Sequence, residues 1–598
     1  MRRLPCLVLS LAALLPGSVR AADDTKALAS KAMGVLDKYC ASCHGIAKLS
    51  GDLDVRDHKS LLSKTKRGKP YVTPKDAAKS YIWTRIENEE MPPNDEPQLS
   101  AQEKQTLKAW IEADAPPPAI ESEKPRQFIS FKETITAIRD HMRAVDKEDQ
   151  PYQRYFVMTH AHNDESVKEA DLRIYRAALS KAINSLSWKR GIVLPKPVGN
   201  TGAIFAIDLR DLDWDRKPGE KLDMWQAMMK YYPYGLGHTE DDDRDIATAA
   251  GDIATMSNRK LVYMRADWFV ATATRPPLYH TILRLPDNAY DLEKKLGVDV
   301  VANFKRGRLW RAGFMKSGVS AQNRLVERHD ALYGAYWKSY DFKKGNKKGN
   351  LLDYPLGPDF TGKYGAKYPY ADAAFVHDGG EMVFNLPNGL QGYFLVDGKD
   401  RRIDSGPEEV VSDYQRTSGT PAIVTGVSCM ACHSKGLIYK DGEEWDDVRF
   451  GVTLSGAARL KVRQLFPVHK TVMIEKMEED AELYRAALEK ATGKFLFTKD
   501  AKEKEASLSQ QGEPVGKWAR KYRLIDPGLS DIAAELGMKP EKLRLAIESN
   551  AKLRELGLAI LLKKGGVVKR ADWEYLEGGS LYQRVCKELG LGDPWSPE

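Results

Sequence analysis

The chain has 598 residues, 92 Lys and Arg against 84 Asp and Glu, and a formal charge of +8, with 29% of positions charged. A length of this order allows three or more domains, and a weakly basic surface of mixed sign excludes a dedicated nucleic-acid binder. Beyond the first residues no run approaches about 18 apolar positions, so no membrane span is expected.

The chain opens Met1-Arg2-Arg3, continues through an apolar stretch from Leu4 to Leu15, and reaches Val19-Arg20-Ala21-Ala22-Asp23. A basic start, a short apolar core and a small-residue end make residues 1–22 a secretory signal peptide, cleaved near Ala21 or Ala22. The mature chain is then expected to be periplasmic or secreted, Cys6 leaves with the signal, and loss of Arg2, Arg3 and Arg20 brings the charge to +5.

Residues 24–115 have the pattern of a small helical domain. Leu28, Ala32, Val35, Leu36 and Tyr39 fall at helical spacing and lead into Cys40-Ala41-Ser42-Cys43-His44. Further on, Glu90-Met91-Pro92-Pro93-Asn94 places a methionine in a loop that the prolines keep from becoming helix. Ser100 and Glu103 form a capping-box pattern before Leu107, Trp110 and Ile111, so a helix closes the domain. The proline run and polar residues of 116–126 are a stiff linker.

Residues 127–415 form a mixed α+β central region. Leu172, Tyr175, Leu179, Ile183 and Leu186 make a helical stripe, and Ala203 to Leu209 is a β-rich run. Met382–Leu386 and Leu390–Val396 are expected to pair as a hairpin through a type I′ turn at Asn388-Gly389. His160 and His162, on a strand, would point the same way and could share a metal, although no third ligand is in reach by sequence.

Residues 416–598 are mainly helical, with Glu475 to Leu488 and Leu543 to Leu561 as long helices. Asp531 to Leu543 imitates a helix-turn-helix, a reading rejected because a secreted chain meets no operator. This last region carries Cys429-Met430-Ala431-Cys432-His433, and its lone Cys586 is expected to be a buried small hydrophobe.

Cys-x-x-Cys-His is the c-type haem attachment signature. Both thiols stand on one turn, where they form thioethers with the haem vinyl groups, and the adjacent imidazole becomes an iron ligand. With 6 Cys and 11 His in the chain, chance gives roughly 0.001 occurrences, and two are present. A zinc ribbon needs its Cys-x-x-Cys pairs about 15 to 20 residues apart, and a thioredoxin-like pair has no use for the His. The expected cofactors are therefore two covalent haem c groups, on Cys40, Cys43 and His44 and on Cys429, Cys432 and His433. Export fits this chemistry, since haem c is attached outside the cytoplasm in bacteria.

Cys40-Ala41-Ser42-Cys43-His44-Gly45, Gly51-Asp52-Leu53, Ser80-Tyr81-Ile82, Met91-Pro92-Pro93 and Leu107-Lys108-Ala109-Trp110-Ile111 resemble the small class I cytochrome c domains attached to large planctomycete-type proteins. The resemblance implies His44 and Met91 as the two axial ligands of a six-coordinate, electron-shuttling haem. Arg265-Ala266-Asp267-Trp268-Phe269 and Leu386-Pro387-Asn388-Gly389-Leu390-Gln391 are similar to the uncharacterised segment that accompanies such domains, from which no activity carries over.

The expected fold is thus multi-domain and mainly α, with a cytochrome c-like helical domain in front. Opposite His433 the candidates for the second iron are His469, Met473 and Met477 downstream and His280, His329 and His377 upstream. The leading function is electron transfer by a dihaem c-type cytochrome between redox partner proteins. The alternatives are a peroxidase- or oxygenase-like enzyme with a five-coordinate second haem, and a central region with chemistry of its own. The second motif has Ser434 where the first has Gly45, and no Met-Pro-Pro partner, which weighs against two related cytochrome domains.

Overall fold

The structure, a computed structural model, describes residues 17–41, 44–45, 48–49, 53–55, 58–65, 67–93, 98–117, 126–239, 243–317, 320–365, 367–407, 412–413, 416–437, 444–496 and 513–597. Cys6, Cys43, the first 16 residues of the expected signal peptide and most of the expected linker lie outside the described residues. The chain divides into two compact units, Met1–Lys124 and Pro125–Glu598.

The first unit is built on the helices Gly17–Tyr39, Tyr81–Glu87 and Ala101–Glu112. Their apolar stripes bury Leu36, Trp83, Ile86, Leu107, Trp110 and Ile111 in one core. The capping box forms as its sequence predicts, with Glu103 N donating to Ser100 Oγ and Ser100 N donating to the Glu103 carboxylate. That carboxylate also accepts from the Tyr39 hydroxyl at 2.9 Å and pairs with Lys38 at 3.0 Å, tying the closing helix to the helix that leads into Cys40. Burial works to raise the Glu103 carboxyl, but Ser100, Lys38 and Tyr39 together hold it down to about 2.

The second unit centres on a seven-stranded antiparallel sheet. Its strand order is Arg402–Ile403, Gln391–Asp397, Gly379–Asn385, Gly334–Asp341, Ser320–Ala331, Trp310–Ser317 and Glu444–Asp446. The last of these comes from beyond residue 416, so the expected central and C-terminal regions are woven into one unit rather than standing apart. A smaller sheet of Lys196–Pro197, Ile204–Asp208, Gln153–Val157 and Tyr263–Arg265 lies within the same unit, and a single contiguous apolar core runs through it.

Alternation along the paired strands sorts side chains onto two faces. Trp337 stands opposite Val383 and Lys338 opposite Met382, so Ser339 and Glu381 share one face while Tyr336, Lys338 and Tyr340 share the other. On the first face the helix Lys470–Leu496 is anchored by Asp480, which accepts from Arg328 Nε and Trp337 Nε1, each at 2.8 Å. On the second, Arg311, His329 and Tyr340 all bond to the fully buried Glu327.

Three local expectations change. The hairpin is present, but Leu386 to Gly389 is a turn in which Pro387 takes the second place and only Gly389, at φ +87°, is left-handed. Type I′ needs positive φ at both central positions, and proline cannot supply it. The helix expected over 475–488 extends to Lys470–Leu496, whereas the one expected over 543–561 breaks into Pro540–Ser549, Ala551–Glu555 and a 3₁₀ turn Leu558–Leu562. Asn550 causes the break by accepting from the amides of Lys552 and Leu553, starting a new helix at once.

The helices Glu169–Ser185 and Pro514–Leu524 are joined by a buried ion pair, Lys181 Nζ to Glu513 Oε1 at 2.7 Å, with side chains 1% and 4% exposed. Replacing Lys181→Met leaves a carboxylate without its cation in the interior. We expect urea unfolding to show a loss of about 3–5 kcal/mol; a loss within about 0.5 kcal/mol, as at an ordinary surface site, would contradict the pairing.

Candidate functional site

The first motif begins where the helix Gly17–Tyr39 ends. The Cys40 amide donates to Leu36 O at 2.9 Å, and the His44 amide donates to Cys40 O at 2.7 Å. His44 pairs with Leu49 in a short antiparallel ladder, and its carbonyl accepts from Val55 N at 2.7 Å. Met91 is partly buried, with Pro92 buried behind it. Its amide donates to Arg85 O, and Gln98 Nε2 donates to the carbonyls of Pro92 and Pro93 at 3.2 and 2.8 Å. The Met-Pro-Pro loop is therefore pinned from both sides.

The second motif sits on the helix Val427–Cys432. Gly426 starts it at φ +88°, where a Cβ would lie 2.4 Å from the Thr274 carbonyl oxygen and 2.8 Å from the Tyr279 ring. Only glycine meets both demands. Ser428 fixes the same turn, donating to Asp413 at 3.2 Å and accepting from Val424 N at 3.1 Å. Cys429 and Cys432 follow three apart on one face, and His433 closes the helix with its amide on Cys429 O at 2.8 Å. Ala431 meets the helix Pro514–Leu524, where a Cβ at Gly516 would lie 3.1 Å from the Ala431 methyl.

Two residues that sequence reasoning missed hold the His433 imidazole. The Tyr393 ring stacks on it at 5.9 Å with 20° between planes, and the Glu381 carboxylate lies 3.7 Å from Nε2. Both belong to the recognised hairpin, but only its register, with Val383 facing Tyr393, puts them on one face of the sheet. Tyr393 is itself fixed by its amide donating to the Tyr279 hydroxyl at 2.9 Å. Burial and the neighbouring Glu381 push the Cys429 thiol well above its usual range. For Glu381, burial is outweighed by the His433 imidazole, which draws its carboxyl down.

The donor set suits covalent haem. Cys429 and Cys432 form no disulfide, and this pair of thiols lies on one helical turn with an imidazole directly after it. Among the described residues no three Cys, His, Asp or Glu side chains converge as a cage for a metal ion. Attachment to two vinyl groups requires no such convergence, only two thiols at the right spacing.

The far-side candidates separate by the sheet. His329 is fully buried with both ring nitrogens engaged, by Glu327 and Asn303 at 3.1 Å each, and His377 packs on Tyr340 at 5.2 Å. His329 belongs to the face opposite Glu381, and His377 packs on Tyr340 of that same face, so the sheet stands between His329 and the second motif. His280 is tied through Nδ1 to Asp404 at 3.4 Å, and burial pushes it down to about 4. His469 is exposed. Met473 and Met477 are buried on the stripe of Lys470–Leu496 that also carries Asp480, on the same face of the sheet as Glu381.

The expected strand around His160 and His162 is a short helix, Thr159–Asn163, because the preceding strand ends at Val157. The two imidazoles part there. His162 Nε2 bonds Gln127 O at 2.9 Å, and His160 Nε2 lies 2.9 Å from Asp267 Oδ2, so they do not share a metal.

Substituting Gly426→Ala is expected to cost about 1–3 kcal/mol, the range for a side chain forced into a left-handed conformation. Thermal unfolding of the variant measures it, and an unchanged transition would contradict the close approach to Thr274.

Compared with known proteins, residues 40–95 match the Planctomycete cytochrome C family. Neither the curated proteins nor the solved structures contain a match to the chain. The N-terminal unit therefore carries a cytochrome c domain, with the haem-based electron-transfer role that such a domain brings.

Proposed function

We propose that the chain is a periplasmic dihaem c-type cytochrome that mediates electron transfer between redox partner proteins. Cys40, Cys43, His44 and Met91 hold the first haem, with His44 and Met91 on the two sides of its iron. Cys429, Cys432 and His433 hold the second. Each bound haem supplies a one-electron couple, and thioether attachment with His/Met ligation favours a high potential.

The observation that carries the reading for the second group is the Val427–Cys432 helix. Two unpaired thiols and an imidazole stand in attachment order, the turn is fixed by Gly426 and Ser428, and Tyr393 sets the plane of the His433 ring. A ligand whose ring orientation is set in advance undergoes less rearrangement when the metal changes charge. Export is part of the same proposal: a cleaved signal peptide would bring the mature chain to haem outside the cytoplasm. No helix among the described residues is long and apolar enough to cross a membrane.

A second reading, a peroxidase- or oxygenase-like oxidoreductase with a five-coordinate second haem, is favoured by one observation. The group beside His433 Nε2 is a carboxylate, Glu381, while His329 belongs to the other face of the sheet with both ring nitrogens engaged.

Electron paramagnetic resonance of the oxidised chain decides between them. Transfer predicts two low-spin ferric signals, whereas a high-spin component supports the enzyme. The double variant Cys429→Ser/Cys432→Ser is expected to lose half the haem and keep the low-spin signal of the first site; full haem content in that variant would overturn the assignment.

A further inference from the structure

A cleft in the second unit lies well apart in sequence from both haem motifs, and its floor is an acid–base pair. His160 Nε2 is 2.9 Å from Asp267 Oδ2. The Asp267 carboxylate is in turn fixed by Arg265, at 3.1 Å from Nε and 2.6 Å from Nη2, and by the Trp268 amide at 2.8 Å. Burial opposes ionisation of Asp267, but Arg265 and His160 hold its carboxyl well below the usual range. With an ionised acceptor on Nε2, the hydrogen sits on that nitrogen, and Nδ1 is left with its lone pair for a ligand. His160 lines the cleft.

The charges around this pair are largely matched. Glu535 pairs with Arg265 at 2.6 Å and with Arg570 at 2.8 Å, and Lys521 donates to the Tyr175 hydroxyl at 2.9 Å. Asp164 and Asp531 complete the charged lining, and burial raises the Asp531 carboxyl. Such a lining suits a neutral ligand that offers hydroxyl groups. The enclosed space is about 70 Å³ and open at one side, where Ile525 is 42% exposed, so one edge of a ring enters and the remainder stays at the mouth.

The cleft shares a wall with the second haem motif. Trp518, Lys521 and Tyr522 line it, and they belong to the helix Pro514–Leu524, whose Gly516 packs on Ala431 between the two cysteines. Tyr522 follows Gly516 by six residues, or about 9 Å along the helix axis. His160 and the turn that would hold the second haem thus flank one helix. A molecule that gives up electrons singly together with protons matches that pairing, which points to a vicinal dihydroxy aromatic.

We propose that this cleft binds a catechol-class reductant and that His160, positioned by Asp267, takes its protons while its electrons pass to the haem irons. The inference rests on the dihaem reading above. The catechol loses two electrons and two protons to become the ortho-quinone. With the haems bound, their ferric irons would be the acceptors, one electron each. Each proton moves from a ligand hydroxyl to His160 Nδ1 and leaves through the mouth of the cleft before the next is taken. Asp267 is a positioning residue and touches no ligand.

Catechol itself is the probe, used with the full holo-chain. Calorimetric titration into the fully reduced protein, where no electron can leave the ligand, is expected to show binding that Ile525→Trp abolishes by filling the mouth. In stopped-flow reduction of the oxidised protein, His160→Asn is expected to slow catechol at least 10-fold. Hexaammineruthenium(II), which transfers an electron without a proton, should reduce variant and parent at the same rate. Asp267→Asn should slow catechol as well, and Asp267→Glu should restore part of the rate. Absence of catechol binding to the parent, or equal catechol rates for parent and His160→Asn with both haems loaded, overturns the proposal. Failure of the dihaem reading registers separately, as ruthenium reduction that delivers one electron per chain.

Discussion

The approach of Gly516 to Ala431 is the contact on which the second unit's architecture depends. It seats the Cys429–Cys432 turn closely on the helix Pro514–Leu524, with only the Ala431 methyl between the two backbones at this point. That helix is held from beneath by Glu513, which accepts from the Val515 amide at 3.1 Å while its other link, to Lys181, reaches the helix Glu169–Ser185. One carboxylate therefore caps a helix and locks it to a neighbour. The Cys429–Cys432 turn placed on such a support is fixed relative to the sheet on its other side, where Glu381 and Tyr393 meet His433.

The sheet itself divides the chemistry. One face is closed by Arg311, His329 and Tyr340, each bonded to the buried Glu327, and both ring nitrogens of His329 are engaged there. The other face carries Glu381 and Tyr393 against His433, and Asp480 of the long helix against Arg328 and Trp337. Buried charges of this kind contribute little net stability beside well-packed apolar residues, but they fix register, because any slip leaves a charge unpaired. Here the register decides which histidines can approach His433.

How much of this was legible in the sequence follows from where each signal resides. Helices with an apolar stripe and a cap, such as Ala101–Glu112 with Ser100 and Glu103, are local and could be read directly. The Cys-x-x-Cys-His motifs are local as well, since attachment depends on spacing within a single turn. The hairpin was legible from its apolar runs, but its turn type was misread, because Pro387 removes the positive φ that Asn388-Gly389 suggested. A shared metal at His160 and His162 depends on their lying on a strand, and nothing local marks the end of the strand at Val157. Glu381, Tyr393 and the Gly516 contact were out of reach, since each is defined by residues far away in the chain. The opposed placement of His329 needed the whole sheet.

The central claim is that four cysteines bind two porphyrins after export, and intact-mass spectrometry of the acid-denatured, exported chain tests it most directly. The account predicts the mass of the mature polypeptide increased by two haems that organic extraction does not remove. A polypeptide at its unmodified mass, or carrying a single haem on Cys40 and Cys43, would contradict it.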